Sequence, residues 1–188
     1  MPQWAGGFLY PKVGRNQRNG VSLISSEMTI LTCSYSSVVI ACLLRARRQG
    51  KSFNLLAAQS QLSPHHPAYG ELLIEELAQQ NIPGQVFPDK DVENLVGMAG
   101  LVLLGADAVL ADGSLINGYP SLKMARAAYN TTKSVPVYVI CETLKFTTQT
   151  FAVSEEGFDT VPAAYLTGII TEKEIIAPDA VKSYQEIR

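Results

Sequence analysis

From about residue 28 onward, short runs of consecutive apolar residues alternate with longer stretches in which apolar positions recur at helical spacing. An apolar run without polar alternation suits a strand buried on both faces of a parallel sheet, and the periodic stretches suit the helices that cross back over it. Met28–Cys33 is the first such run. Ser34, Tyr35, Ser36 and Ser37 then offer hydroxyls before a helical run from Val38 to Arg48, which closes at Gly50. Phe53–Ala58 reads as the second strand, and Ala68–Gln80 as an amphipathic helix with Leu72, Leu73 and Leu77 toward the core. Gln85–Phe87 is a short strand, Asp89–Met98 a short helix, and Leu101–Leu104 a buried strand running into Gly105, Ala106 and Asp107. The helix predicted over Tyr119–Tyr129 carries Pro120 in its first turn, and Val135–Cys141 is the next strand. Leu166–Ile170 adds another strand, Glu155–Pro162 reads as a loop, and a last helix begins at Pro178. The expected fold is α/β, a three-layer, doubly wound, mostly parallel sheet of Rossmann-like form over residues 24–188, with residues 1–23 as an irregular arm.

Composition narrows the partners. Of 188 residues, 47% are apolar and 17% charged, the balance of one globular domain with a sizeable core. The net charge of -2 includes no long basic block, so there is no direct nucleic-acid signal. No apolar run approaches the ~20 residues of a bilayer span, and the first residues lack the pattern of a secretory signal, so a cytoplasmic address is expected. Cys33, Cys42 and Cys141 sit in apolar surroundings, as buried thiols of a reducing compartment do. With only His65 and His66, no His/Cys metal site is spelled out. No cofactor is implied, since neither Gly-x-Gly-x-x-Gly nor Gly-Lys-Ser/Thr occurs.

In open parallel sheets, ligands bind beyond the carboxyl ends of the strands. That rule selects Ser34, Ser36 and Ser37 after the first strand, Ser60 after the second, Asp107 after the fourth, and Lys145 after Val135–Cys141. The hydroxyls and amides at the start of the Val38 helix suit a phosphate, although plain capping is the commoner role. Asp107 would act as acid or base if burial raised its pKa, and would otherwise be a turn aspartate. Lys145 would neutralise a phosphate or simply be solvated. Cys33 is a nucleophile only if its pKa is lowered. His65 and His66, between Pro64 and Pro67, read as an exposed loop and receive no role.

The segment 102–117, VLLGADAVLADGSLIN, resembles the hallmark of the translation initiation factor 2B alpha/beta/delta family, whose relatives include methylthioribose-1-phosphate and ribose-1,5-bisphosphate isomerases. The runs 30–39 (ILTCSYSSVV), 139–146 (VICETLKF), 167–172 (TGIITE) and 176–181 (IAPDAV) resemble further family segments. The likeness covers the Rossmann-like carboxy-terminal domain, and the helical amino-terminal domain usual in the family has no counterpart here. It makes Asn117 a pocket residue and puts Asp107 on the aspartate of the isomerases. Their cysteine falls on Ser34, with Cys33 one position before it. The family's Asn-Lys becomes Asn117-Gly118 and its Glu-Ser-Arg becomes Gln59-Ser60-Gln61, so two cations are lost.

The resemblance implies a non-catalytic or regulatory member, forming a homodimer or a hetero-oligomer with related subunits. Such a member would hold a sugar phosphate or nucleoside monophosphate through Ser34, Ser36, Ser37, Ser60, Asp107, Asn117 and Lys145. The Tyr-Ser-Ser after the first strand and the Glu-Thr-Leu-Lys-Phe loop favour the subunits. The alternative is an intramolecular aldose-ketose isomerase of a ribose 1-phosphate derivative, using Asp107 with Ser34 or Cys33.

Overall fold

The computed structural model describes residues 15–148 and 156–186. Helix α1 (Arg15–Ser22) precedes strand β1 (Met28–Thr32), helix α2 (Ser37–Arg48), β2 (Phe53–Ala58), α3 (Tyr69–Gln79) and β3 (Gln85–Phe87). There follow α4 (Val92–Val96), β4 (Leu101–Leu104), β5 (Ala108–Leu110), β6 (Leu115–Gly118), α5 (Ser121–Asn130) and β7 (Val137–Ile140). The chain ends with β8 (Phe146–Thr147), β9 (Phe158–Val161), β10 (Gly168–Ile170), β11 (Ile175–Ile176) and α6 (Val181–Glu186).

The main sheet runs β11-β10-β7-β4-β1-β2-β3, parallel throughout except for the antiparallel β10–β11 pair. Successive residues of a strand face opposite sides of the sheet, and both sides are buried. Ile30 packs in one core and Leu31 in the other, and Leu103 and Leu104 divide the same way. Residues of α1, α2 and α3 share the first core, and those of α4, α5 and α6 the second, which gives the three expected layers. The order reverses at β1. From there the chain winds outward through β2 and β3, then returns to add β4, β7 and β10 on the other side.

Three expectations change. The irregular lead-in does not extend over Arg15–Ser22, which is helical; residues 1–14 lie outside the described residues. Gly20 lets α1 pack closely, because a Cβ there would come within 2.7 Å of Cys42 Sγ. The expected loop at 155–162 contains β9, and residue 155 lies outside the described residues. Strand β9 belongs to a second sheet, β8-β5-β6-β9, which the apolar pattern did not show. Of the three leucines of α3 expected toward the core, Leu73 and Leu77 are buried there and Leu72 is only partly buried.

Candidate functional site

The carboxyl ends of β1 and β4 meet where the strand order reverses, which is where open parallel sheets leave a crevice. A cavity of about 340 Å³ opens there. The turns after β1 and β2 contribute Ser34, Tyr35, Ser36 and Ser60. The segment after β4 contributes Ala106 and Asp107, and the second sheet brings in Asn117, Gly118, Tyr119 and Phe158. Leu62, His66, Tyr69, Glu156 and Gly157 complete the wall.

Ser34 and Ser60 both adopt the left-handed backbone conformation, at φ 61° and 55°. Local hydrogen bonds hold them there. The Ser34 amide donates to Ser60 Oγ at 2.7 Å, and the Ser60 hydroxyl donates to the Ala58 carbonyl at 3.2 Å. The amides of Ser60 and Gln61 donate to the two carboxylate oxygens of Asp89, at 2.7 and 3.0 Å. A paired nest of amides is a ready anion site, and here a carboxylate of the same chain fills it. Ser36 caps α2, its Oγ accepting the Val39 amide at 3.4 Å.

The second sheet positions the opposite wall. The Asp107 amide donates to the Ile116 carbonyl at 2.9 Å, and the Tyr119 amide to the Gly157 carbonyl at 2.8 Å. Asn117 is buried and donates from Nδ2 to Ser121 Oγ at 2.7 Å. The Ser121 hydroxyl donates to the Gly118 carbonyl at 2.6 Å. Its single proton is thereby committed, so the 3.3 Å contact with Cys33 Sγ makes the thiol the donor. The Tyr119–Pro120 bond is cis, and α5 begins at Ser121 with Pro120 just before it.

Asp107 stays open to solvent on one side, yet partial burial still raises its carboxyl pKa, with Lys145 pulling it back. Burial also raises the Tyr119 hydroxyl, and the carboxylates of Asp89 and Asp159 add to the effect. Cys33 is fully buried, and desolvation pushes its thiol up to about 12 despite the Ser121 contact.

The structure thus brings Ser34, Ser36, Ser60, Asp107 and Asn117 to one cavity. Ser37 is exposed on α2 and is not among the lining residues. Lys145 is exposed and reaches Asp107 only through its charge. Cys33 faces the core beside Ser121, away from the cavity. Sequence reasoning passed over His66, Tyr69, Tyr119 and Glu156. The His66 backbone carbonyl accepts Gln61 Nε2 at 2.8 Å, which brings an exposed loop to the cavity, and no periodic signal marks such a loop. Among the described residues no cluster of His, Cys, Asp and Glu could hold a metal ion.

A doubly wound sheet with a cavity at its switch point defines an α/β domain of ligand-pocket type. Residues 14–156 match the initiation factor 2 subunit family, and the chain belongs to that family. It is 34% identical over 175 residues to the putative translation initiation factor eIF-2B subunit 2-like of Pyrococcus furiosus, covering 85% of this chain and 61% of that protein. It is 27% identical over 186 residues to a ribose 1,5-bisphosphate isomerase of Archaeoglobus fulgidus, covering 85% and 57%. A chain of the tetrameric eIF2B-beta2-delta2 complex from C. thermophilum superposes with a TM-score of 0.73 at 28% identity, over 87% of this chain and 56% of that one. The chain therefore spans less than two thirds of the length of these relatives. The family likeness and the mostly parallel α/β fold expected from the sequence are both found.

Proposed function

We propose that the chain acts as a non-catalytic, regulatory-type subunit of the cytoplasm, assembling with itself or with related subunits and keeping its cavity as a ligand pocket. The observation that carries the reading is the state of Cys33. Its thiol is fully buried, donates to Ser121 and is pushed up to about 12. The position that the resemblance aligns with the isomerase cysteine is Ser34, whose hydroxyl is a far weaker acid than a thiol. Similarity to a subunit of a tetrameric complex supports assembly. The resemblance implies a phosphorylated ligand, yet the amides after β2 that would suit one already hold Asp89.

Incubation with ribose 1,5-bisphosphate and with methylthioribose 1-phosphate should give no ketose product, and sedimentation should give a dimer or larger assembly, alone or with related subunits. Turnover of either sugar would sink the non-catalytic part, and a strict monomer that ignores related subunits would sink the assembly part.

A second reading, an aldose-ketose isomerase, is favoured by Asp107, whose raised carboxyl at the cavity suits proton transfer. It expects turnover that Asp107→Asn abolishes while the fold survives.

A further inference from the structure

Helices α1, α2 and α3 share one core on the same face of the main sheet, and their charges are segregated. The Cys42 thiol of α2 donates to the Gln17 carbonyl of α1 at 4.0 Å, and Lys51, just past α2, donates to the Val21 carbonyl at 2.7 Å. On the other flank the Tyr35 hydroxyl, at the lead-in to α2, donates to the Glu76 carboxylate of α3. Neither α1 nor α2 contains an acidic residue, whereas α3 contains Glu71, Glu75 and Glu76 and no basic one. The first 51 positions hold seven of the fifteen Lys and Arg residues and only one acidic residue, Glu27. A chain of net charge -2 is thus positive over this pair of helices.

Helix dipoles favour the arginines that end α2 and the glutamate that opens α3, but they do not explain why each helix carries one sign throughout. Arg47, Arg48, Glu71 and Glu75 are exposed. Among the described residues, the side chains of Arg47, Arg48 and Glu75 make no ion pair or hydrogen bond within the chain. Both helices cross back between parallel strands, so the arginines at the end of α2 lie at the amino edge of the sheet and Glu71 and Glu75 nearer its carboxyl edge. That diagonal placement keeps the two patches apart within one protomer. Leu72, three positions before Glu75 and on the same stripe of α3, stays partly exposed beside the acidic patch.

We propose that the outer face of this helical layer joins two copies of the chain about a two-fold axis, which sets Arg47 and Arg48 against the partner's Glu71 and Glu75 and packs Leu72 into the contact. This surface rests on the reading of the chain as an assembling subunit and says where it assembles. A two-fold contact makes every pair twice, so a face carrying one patch of each sign is complementary to itself. The charges fix register and exclude other arrangements, while Leu72 supplies apolar burial.

The test is sedimentation equilibrium of the full chain and its charge-reversal variants. Wild type should form a dimer whose Kd weakens about tenfold or more as salt rises from about 0.05 to about 0.5 M, since exposed pairs are screened. Arg47→Glu with Arg48→Glu, and separately Glu71→Lys with Glu75→Lys, should each give a monomer that circular dichroism shows to be folded. Mixed one to one, the two variants should pair with each other, because every contact between them then joins opposite charges. All four changes in one chain should restore the dimer. Leu72→Ser leaves every charge in place and should also give a monomer, which decides the matter if a reversal fails to fold. A wild-type dimer that both reversals leave intact, or monomeric variants that do not recognise each other, would overturn the proposal and leave assembly through another face standing. A wild type that is monomeric alone would overturn it too, and the assembling reading itself falls only if related subunits also fail to bind.

Discussion

Gly118 lies so close to Ser34 that a Cβ added to it would come within 2.7 Å of the Ser34 hydroxyl oxygen and 3.2 Å of its Cβ. Ser34 cannot easily retreat, because its backbone is left-handed and its amide is tied to Ser60. Gly118→Ala should therefore destabilise the fold by about 1–3 kcal/mol in urea titration, as overpacking does. Ser34→Gly removes the obstructing side chain and suits the positive φ. The double variant should recover most of the loss. Additive losses in the double variant would show that the two residues do not contend for one space.

Cys33, Cys42 and Cys141 are all buried, and desolvation leads the causes that push each thiol up to about 12. At pH 8 each is then overwhelmingly protonated, and only the thiolate reacts. Iodoacetamide should leave all three unmodified by mass spectrometry in the native protein and label all three in urea. Native labelling of Cys33 ahead of the others would contradict its place beside Ser121.

The Asp89 carboxylate joins the turn after β2 to the segment that follows β3, through the Ser60 and Gln61 amides. Hydrogen bonds to a charged group are each worth about 1.5–3 kcal/mol, with the lower end fitting a partly exposed carboxylate. Asp89→Ala should cost about 2 kcal/mol and leave two amides seeking partners. Proteolysis within residues 61–68, which follow that turn, should accelerate in the variant. An unchanged cleavage rate would mean that Asp89 does not hold the loop.

How much of this could be read from the sequence follows from the length of each signal. The strands β1, β2, β4 and β7 are apolar runs buried on both faces, and helices α2, α3 and α5 are long enough to show a period, so the central sheet and its flanking helices were legible. The second sheet was not, because β5 and β8 have only three and two residues and β9, though as long as β4, buries only Val161. A trace of it existed. The apolar pairs on either side of Asp112-Gly113 make a hairpin around a turn in which Gly113 takes φ 82° and Ser114 donates its amide to Asp112 Oδ1 at 2.9 Å. Asp107 and the serines were found because they follow strands directly. His66, Tyr69 and Glu156 come to the cavity from segments between elements or from the start of a helix, and position relative to a strand says nothing about them. The filling of the amide nest by Asp89 was equally hidden, since the two partners lie 28 and 29 residues apart.

Glu172, just past β10, accepts the Thr143 amide at 2.9 Å and the Thr143 hydroxyl at 2.6 Å, which ties the end of β7 to the end of β10. Burial, the largest single influence, would raise this carboxyl, but the bonds from Thr143 together with its own backbone amide and the Lys173 charge leave its pKa below the ordinary 4.5. A carboxylate whose pKa is depressed by folding stabilises the native state above the unfolded pKa, and that contribution fades as pH falls through the native value. Glu172→Gln removes the charge and one acceptor, at a cost of about 1 kcal/mol at pH 7, discounted because the group is partly solvated. The gap between wild type and variant in urea titrations should be full at pH 7, begin to shrink below about pH 4.5 and close at still lower pH. A gap that widens on acidification would require Glu172 to hold its proton more tightly in the folded state, against the two bonds from Thr143.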